Sequence, residues 1–416
     1  MAAGQLLHNI LKTRRSFSVC WAELDQLEDF AAADRAFVRA MSMAALRHAG
    51  RLAEGVGAHV RRPLDTLGPQ VRVLLWLGAA QLWLLDTPAH AAVGETVAAA
   101  KRWPATRKAA GLVNAVLRRC AQDRAVFEAA PPERNWPDWL RSDFTASLGR
   151  EGLEAIARAH QTAPLLHLTS TEPEETARAL GGQEIAPGTV AVEMARVDQL
   201  PGYEAGRWWV QDMAAALAAR LLNAQAGETV LDLCAAPGGK TLQLAARGAR
   251  VVAVDRSRAR LTALHENLTR TRLAGQVEVV QADLLSWRPE QRADAILLDA
   301  PCSALGTLRR HPEGAWIKRP EDLAGYRELQ TQLLRRARDM LAPAGRMIYC
   351  VCTPRREEGR DLVDAVCSEG SLRRAPFDES ELEGFPAART AEGDALTIPW
   401  AEPYHDTFYL ARLALA

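Results

Sequence analysis

Residues 229–241 read Thr-Val-Leu-Asp-Leu-Cys-Ala-Ala-Pro-Gly-Gly-Lys-Thr, a β-branched and leucine-rich run that breaks into small residues and a glycine pair. A strand that turns this sharply into a helix brings its backbone close to a ligand and presents free N–H groups at the helix start. Outward from it, Arg250 to Val254, Val277 to Gln281, Ala295 to Leu298 and Arg346 to Cys350 are further short apolar runs, each separated from the next by a helical stretch. Strands alternating with helices predict βαβ units and a mostly parallel, Rossmann-like α/β sheet, with ligands at the strand carboxyl ends. The last segment, 395–414 (ALTIPWAEPYHDTFYLARLA), reads as two strands joined by a proline-containing turn, a C-terminal antiparallel hairpin.

Three nucleotide readings compete for the first turn. A phosphate-binding loop needs G-x-x-x-x-G-K-[ST]. Gly239-Lys240-Thr241 supplies its end, but Cys234 holds the place of the first glycine. The dinucleotide G-x-G-x-x-G is absent as well, which disfavours an NAD-dependent dehydrogenase, and the closing hairpin suits a methyltransferase-like sheet better. What remains is an S-adenosylmethionine pattern, with Asp255 ending the second strand 23 residues after Asp232, where a carboxylate can take both ribose hydroxyls. Asp283 follows the third strand, placed to meet the adenine, and Asp299 follows the fourth. Acidic residues after strands often only cap the next helix, but three at successive strand ends weaken that reading.

The rest of the chain bounds the problem. At 416 residues, with 48% hydrophobic and 25% charged, it is of ordinary globular composition and long enough for two to three domains. Its longest apolar run, Val73 to Leu85, is shorter than the roughly 18–20 residues a bilayer needs and reads as a buried helix. The N-terminus lacks the layout of a secretory signal, so a cytoplasmic protein with no membrane role is expected. Seven scattered cysteines do not suggest a disulfide framework. From Ala32 to about Arg124 the spacing is helical, with Phe37, Met41, Ala44, Ala45 and His48 on one expected face. Over residues 1–140 there are 18 Lys and Arg against 13 Asp and Glu, and 33 against 38 in the remainder, so the N-terminal part is the basic one. Its cations come in pairs such as Arg61-Arg62 and Arg118-Arg119, which read as solvated helix faces or as a phosphate-tracking patch. Three prolines in Ala129 to Asp138 suggest a boundary. The expected division is 1–130 all-α, 135–205 a small α+β linker region carrying a helix at Leu153 to His160, and 206–416 catalytic.

Two further segments, Asp299-Ala300-Pro301-Cys302-Ser303 and Tyr349-Cys350-Val351-Cys352-Thr353, end the fourth and fifth strands, which a sheet would set side by side. A lone cysteine is usually a small buried hydrophobe, a reading that suits Cys20, Cys120 and Cys367, and Cys350 is placed with them. No second pair at zinc spacing accompanies Cys350-x-Cys352, so no metal is expected.

Together with D-L-C-A-A-P-G-G-K-T and the continuation of the Cys302 segment to His311-Pro312-Glu313, these motifs resemble those of the Sun family of RNA (cytosine-C5) methyltransferases. The helical part, with Ala33 to Phe37 and Gly111 to Arg119, is similar to the NusB-like RNA-binding domain, which is the layout of RsmB/Sun-type ribosomal RNA enzymes. The resemblance implies that Cys352 is the nucleophile, Cys302 its helper in product release, and Asp299 a partner for the cytosine N3 edge. It also implies that Cys234, Ala235, Ala236, Pro237, Gly238, Gly239 and Lys240, with Asp255, Asp283 and Asp299, hold S-adenosylmethionine. The implied partner is small-subunit (16S) ribosomal RNA, unassembled or partly assembled, met by a monomer. The competing expectation is a non-enzymatic assembly or antitermination factor with a vestigial cofactor fold. One departure from the family pattern is Thr407, where the family prefers glycine.

Overall fold

The computed structural model describes residues 1–193 and 196–416. They divide into two compact units, Met1–Thr162 with Leu308–Pro320, and Ala163–Thr307 with Glu321–Ala416.

The first unit is helical. Its central helix, Pro69–Trp83, buries every residue from Val73 to Gln81, as the apolar run predicts, and starts on a proline whose missing N–H is harmless in the first turn. Helix Ala32–Arg47 corrects the expected face. Phe37 is 45% exposed, and the buried stripe is Val38, Ser42, Ala45 and Leu46. That stripe has the same helical period displaced by one residue, and the fully buried Ser42 hides it from a hydrophobicity reading. The proline-rich stretch 129–138 lies inside this unit, where Pro137 precedes helix Asp138–Gln161. This helix is longer than the Leu153 to His160 expected from sequence and is interrupted at Gly149, whose φ of 71° suits glycine.

The excursion Leu308–Pro320 is held by specific polar contacts. Arg47, 5% exposed, donates from Nη1 to the carbonyls of His160 (2.9 Å) and Arg309 (2.7 Å). Arg14 Nε donates to Ile317 O at 2.7 Å, and Glu313 Oε1 accepts the Phe17 N–H at 3.1 Å.

The second unit carries two sheets. In the smaller, β1 (Leu166–Ser170), β2 (Gln183–Ala186), β3 (Thr189–Val192) and β4 (Trp208–Val210) run antiparallel in the order β2-β3-β1-β4. The larger contains β5 (Thr229–Leu233), β6 (Arg250–Asp255), β7 (Val277–Gln281), β8 (Ala293–Asp299), β9 (Leu341–Val351), β10 (Leu372–Arg374), β11 (Ala395–Leu396) and β12 (Tyr409–Leu415). Its order is β10-β12-β9-β8-β5-β6-β7, with β11 paired to β12. Strands β5 to β9 are mutually parallel and β12 is antiparallel to β9. The chain winds from β5 outward to β7 and then returns to β8 on the other side of β5. The carboxyl ends of β5 and β8 therefore form the switch point where such sheets open a ligand crevice. Fully buried Val230, Ile296, Leu297, Ile348 and Leu410 hold the sheet's two faces, each worth about 1.5–3 kcal/mol. The expected closing hairpin is present as β11 and β12; β10, which also pairs with β12, is too short to read from sequence. Among the described residues no helix is long and apolar enough to cross a membrane.

Arg47 sets a test of the excursion. Burial, with Arg309 nearby, lowers its pKa to about 10, so it stays charged at neutral pH. Arg47→Ala leaves two buried carbonyls unpaired and is expected to cost about 2–4 kcal/mol. Denaturant unfolding measures the loss, and amide exchange across 308–320 should quicken with it.

Candidate active site

The first turn follows β5 directly. Cys234 takes a φ of 64° and Gly238 one of 106°, and a Cβ at Gly238 would lie 2.2 Å from Leu264 Cδ1, so only glycine fits. Helix Gly239–Ala246 starts there, and a Cβ on Gly239 would press on Gln211, 3.2 Å away. Gln211 is held in turn: its Oε1 accepts from Thr169 Oγ1 (3.0 Å) and Trp209 Nε1 (2.8 Å), and its Nε2 donates to Gln243.

Asp232, fully buried in β5, accepts from Thr241 Oγ1 at 2.5 Å, and its Oδ1 has no partner among the described residues. Burial lifts its pKa to about 7. Asp255, 3% exposed, receives the N–H of Ala236 on Oδ2 (3.1 Å) and that of Ser257 on Oδ1 (2.9 Å). Arg260 stands 3.6 Å from Oδ2. Asp283 follows β7. It is exposed, and its Oδ1 accepts the N–H of Leu285 at 2.9 Å, which is capping of its own turn.

At the end of β8, Asp299 Oδ2 accepts from Lys240 Nζ at 2.7 Å, and Oδ1 lies 3.5 Å from Cys350 Sγ. Burial works to lower the Lys240 pKa, but the adjacent carboxylate outweighs it and the ammonium is held above its ordinary value. The Asp299 side chain stays 31% exposed. Cys350 has no exposed surface, and burial raises its pKa well above the usual thiol range. Cys234 is raised by burial too.

The sulfurs of Cys302 and Cys352 are 3.3 Å apart although fifty residues separate them, and both are half-buried. The hydrogen bond to Cys352, reinforced by burial, holds the Cys302 thiol well above its ordinary pKa, so Cys302 keeps its proton. Residues that the sequence reading missed set this pair. Glu358, fully buried, accepts the N–H of Ser303 (2.9 Å), Gln330 Nε2 (3.0 Å) and Arg355 Nη1 (3.2 Å). Gln330 also donates to Pro301 O, and Ser303 Oγ to Thr353 Oγ1, both at 2.9 Å. Gly306 donates to Cys352 O and accepts from Thr407 N, each at 2.9 Å. A buried carboxylate soon after a cysteine segment has no sequence signal of its own, since surface glutamates share the same pattern. Among the described residues no three His, Cys, Asp or Glu side chains gather as a metal site.

Comparison with known proteins identifies related chains. Residues 219–414 match the family described as 16S rRNA methyltransferase RsmB/F, and residues 2–122 match the NusB family. A Vibrio cholerae protein named ribosomal RNA small subunit methyltransferase B is 34% identical, over 92% of this chain and 89% of that one. A Xanthomonas campestris pv. campestris protein of the same name is 33% identical over 100% and 97%. Among solved structures, that titled PH0851 is similar in fold over 99% of this chain and 98% of its own (TM-score 0.77, 21% identity). The structure of NSun6 from Pyrococcus horikoshii with SFG is similar over 67% and 98% (TM-score 0.57, 18% identity).

Asp232 predicts a pH dependence. An unfolded aspartate ionises near 3.9, whereas the folded chain keeps this proton up to about 7. Between those values unfolding releases a proton, so this group's contribution to stability falls as pH rises from about 4 to about 7 and is constant above. Asp232→Asn removes that fall. Denaturant midpoints measured across the window should decline for the parent chain more steeply than for the variant, and parallel curves would count against the buried proton.

Proposed function

We propose, because the chain belongs to the 16S rRNA methyltransferase RsmB/F family, that it methylates C5 of a specific cytosine in small-subunit ribosomal RNA through a covalent bond from Cys352 to C6. Membership makes it an S-adenosylmethionine-dependent RNA methyltransferase and sets aside the dehydrogenase and non-enzymatic readings. The observation that carries the finer reading is the Cys302–Cys352 contact of 3.3 Å, beside the carboxylate of Asp299 on the neighbouring strand.

S-adenosylmethionine, when bound, supplies an electrophilic methyl group. The chain fits it: the turn at Gly238, where only glycine is accommodated, leaves a cradle beside the first turn. Cys234, Ala235, Ala236, Pro237, Gly238, Gly239 and Lys240 would line that cradle. Each oxygen of Asp255 holds one backbone N–H, which leaves lone pairs for two ribose hydroxyls. Asp283, exposed and engaged with its own turn, would reach the adenine only from the rim.

Cytosine C5 is a weak nucleophile, so a thiolate must first add to C6 and push electron density onto C5. Cys352 takes this part. Cys302, its pKa raised by the contact with Cys352 and by burial, keeps its proton and can donate toward the Cys352 sulfur. Asp299 meets the N3 edge and shares the proton that the ring takes up as the thiolate adds; Lys240 holds the carboxylate in position. Once the methyl group is on C5, the C5 proton passes to water, the C5–H pair closes the C5=C6 bond as the C6–S pair returns to the Cys352 sulfur, and the ring gives back its N3 proton; Cys302 assists by donating a hydrogen bond to the departing sulfur. Cys350 takes no direct part, being enclosed. A base within a duplex cannot reach these groups, which favours a single-stranded or incompletely assembled RNA met by a monomer.

Methyl transfer from labelled S-adenosylmethionine to unmodified small-subunit RNA, with bisulfite mapping, tests the position. Cys352→Ala is expected to abolish both product and covalent adduct, Cys302→Ala to accumulate the protein–RNA adduct on denaturing gels, and Cys350→Ala to do neither. Trapping by Cys350→Ala in place of Cys302→Ala would overturn the assignment. A Cβ on Gly306 would meet Thr407 O at 1.9 Å. Gly306→Ala is therefore expected to slow transfer by about a hundredfold, the scale of a 1 Å misplacement, with cofactor affinity retained by calorimetry.

A further inference from the structure

The helical unit contains a cavity of about 740 Å³, within the roughly 300–1,000 Å³ of small-ligand pockets. Its walls come from helix Ala2–Thr13 (His8, Lys12), from helix Pro69–Trp83 (Arg72, Trp76), from Asp65, and from Trp316 in the excursion 308–320. Nothing in the transfer reaction described above uses it.

Its chemistry is one-sided. Trp76 and Trp316 stand 6.1 Å apart between ring centroids at 50°, and the Nε1–H of each is buried without a partner among the described residues. Arg72 Nε is buried and unpartnered as well. Lys12 is exposed on the rim. Arg61 and Arg62, both exposed, come immediately before the lining segment Leu64–Asp65. Against these donors and cations the lining offers one carboxylate, Asp65. Buried donors left unmatched are costly and point to an acceptor that arrives with a partner.

We propose that this cavity binds a nucleotide of single-stranded RNA, its base against the Trp316 and Trp76 indoles and its phosphate toward Lys12 and Arg72. The inference rests on the RNA substrate of the proposed function and deepens it by naming where flanking RNA is held. A nucleotide joins a flat π-face to an anionic backbone rich in acceptors, which complements this lining. An oligoglutamate peptide matches it less well, because it brings anions but no flat π-face to set against the two indoles.

The test is a fluorescence-anisotropy titration of the full chain with a labelled oligouridine of about ten nucleotides, within the range one stacking site covers. Trp316→Leu is expected to weaken binding roughly tenfold, the loss of one base–aromatic stack. Lys12→Ala with Arg72→Ala is expected to weaken it similarly and to reduce the salt slope by about 1.4, or 0.7 for each single-strand phosphate that is no longer neutralised. Lys12 is exposed and Arg72 half-buried, and an unchanged melting curve excludes unfolding as the cause. Parent-like affinity and slope in both variants would overturn the proposal. So would an oligoglutamate peptide that displaces the RNA and loses affinity in the same variants. Cofactor affinity should be unchanged throughout. If these variants lose RNA binding while the parent chain leaves every cytosine unmodified, the C5 assignment fails and this one stands.

Discussion

Glu358 is completely buried, and its carboxylate is met by Ser303 N–H, Gln330 Nε2 and Arg355 Nη1. An ionised carboxylate removed from water is tolerated only when donors replace its hydration, and an unpaired one costs several kcal/mol. The three donors come from the loop after β8, from helix Pro320–Met340 and from the loop after β9. Burying this one side chain therefore requires all three segments to converge. Parallel pairing of β8 with β9 brings the two loops to the same end of the sheet. It does not by itself bring two sulfurs to 3.3 Å; the Glu358 cluster, Ser303–Thr353 and the Gly306 backbone bonds do that.

The same end of the sheet holds two acids in opposed environments. Asp232 is sealed in β5 and drawn toward its neutral form by burial, with only the Thr241 hydroxyl as a partner. Asp299, at the neighbouring strand end, is partly open and faces an ammonium at 2.7 Å. One sealed acid and one salt-bridged acid of the same residue type are separated by environment alone, the usual way a site divides roles between like groups.

Much of this is legible in the sequence, and the failures have physical causes. The βαβ alternation, the turn at Cys234–Gly239 and the acids at strand ends can be read because a parallel sheet demands continuous apolar strands and puts its ligand chemistry at their carboxyl ends. The phase of helix Ala32–Arg47 cannot, because Ser42 is polar yet small enough to be enclosed. The full length of helix Asp138–Gln161 is hidden because Gly149 interrupts it and prolines precede it. Glu358 and Gln330 are invisible for a different reason. The contacts that bring distant segments together lie 28 and 55 residues away in sequence, and nothing local distinguishes these two from solvated residues.

The two cysteines of Tyr349-Cys350-Val351-Cys352-Thr353 show how far local environment decides chemistry. Cys350 is the last but one residue of β9, registered against Asp299 and enclosed, so burial and the facing carboxylate both disfavour its thiolate. Cys352 lies one residue beyond the strand, half-buried, with a protonated thiol as its neighbour. Cys352 keeps part of its surface exposed, whereas at Cys350 a thiolate would lie beside a carboxylate in a dry interior. Cys350 still serves the site: its Sγ lies 3.5 Å from Asp299 Oδ1, on the side of the carboxylate opposite the Lys240 contact. With Lys240 on one oxygen and Cys350 on the other, the carboxylate is held from two neighbouring segments while its side chain stays 31% exposed.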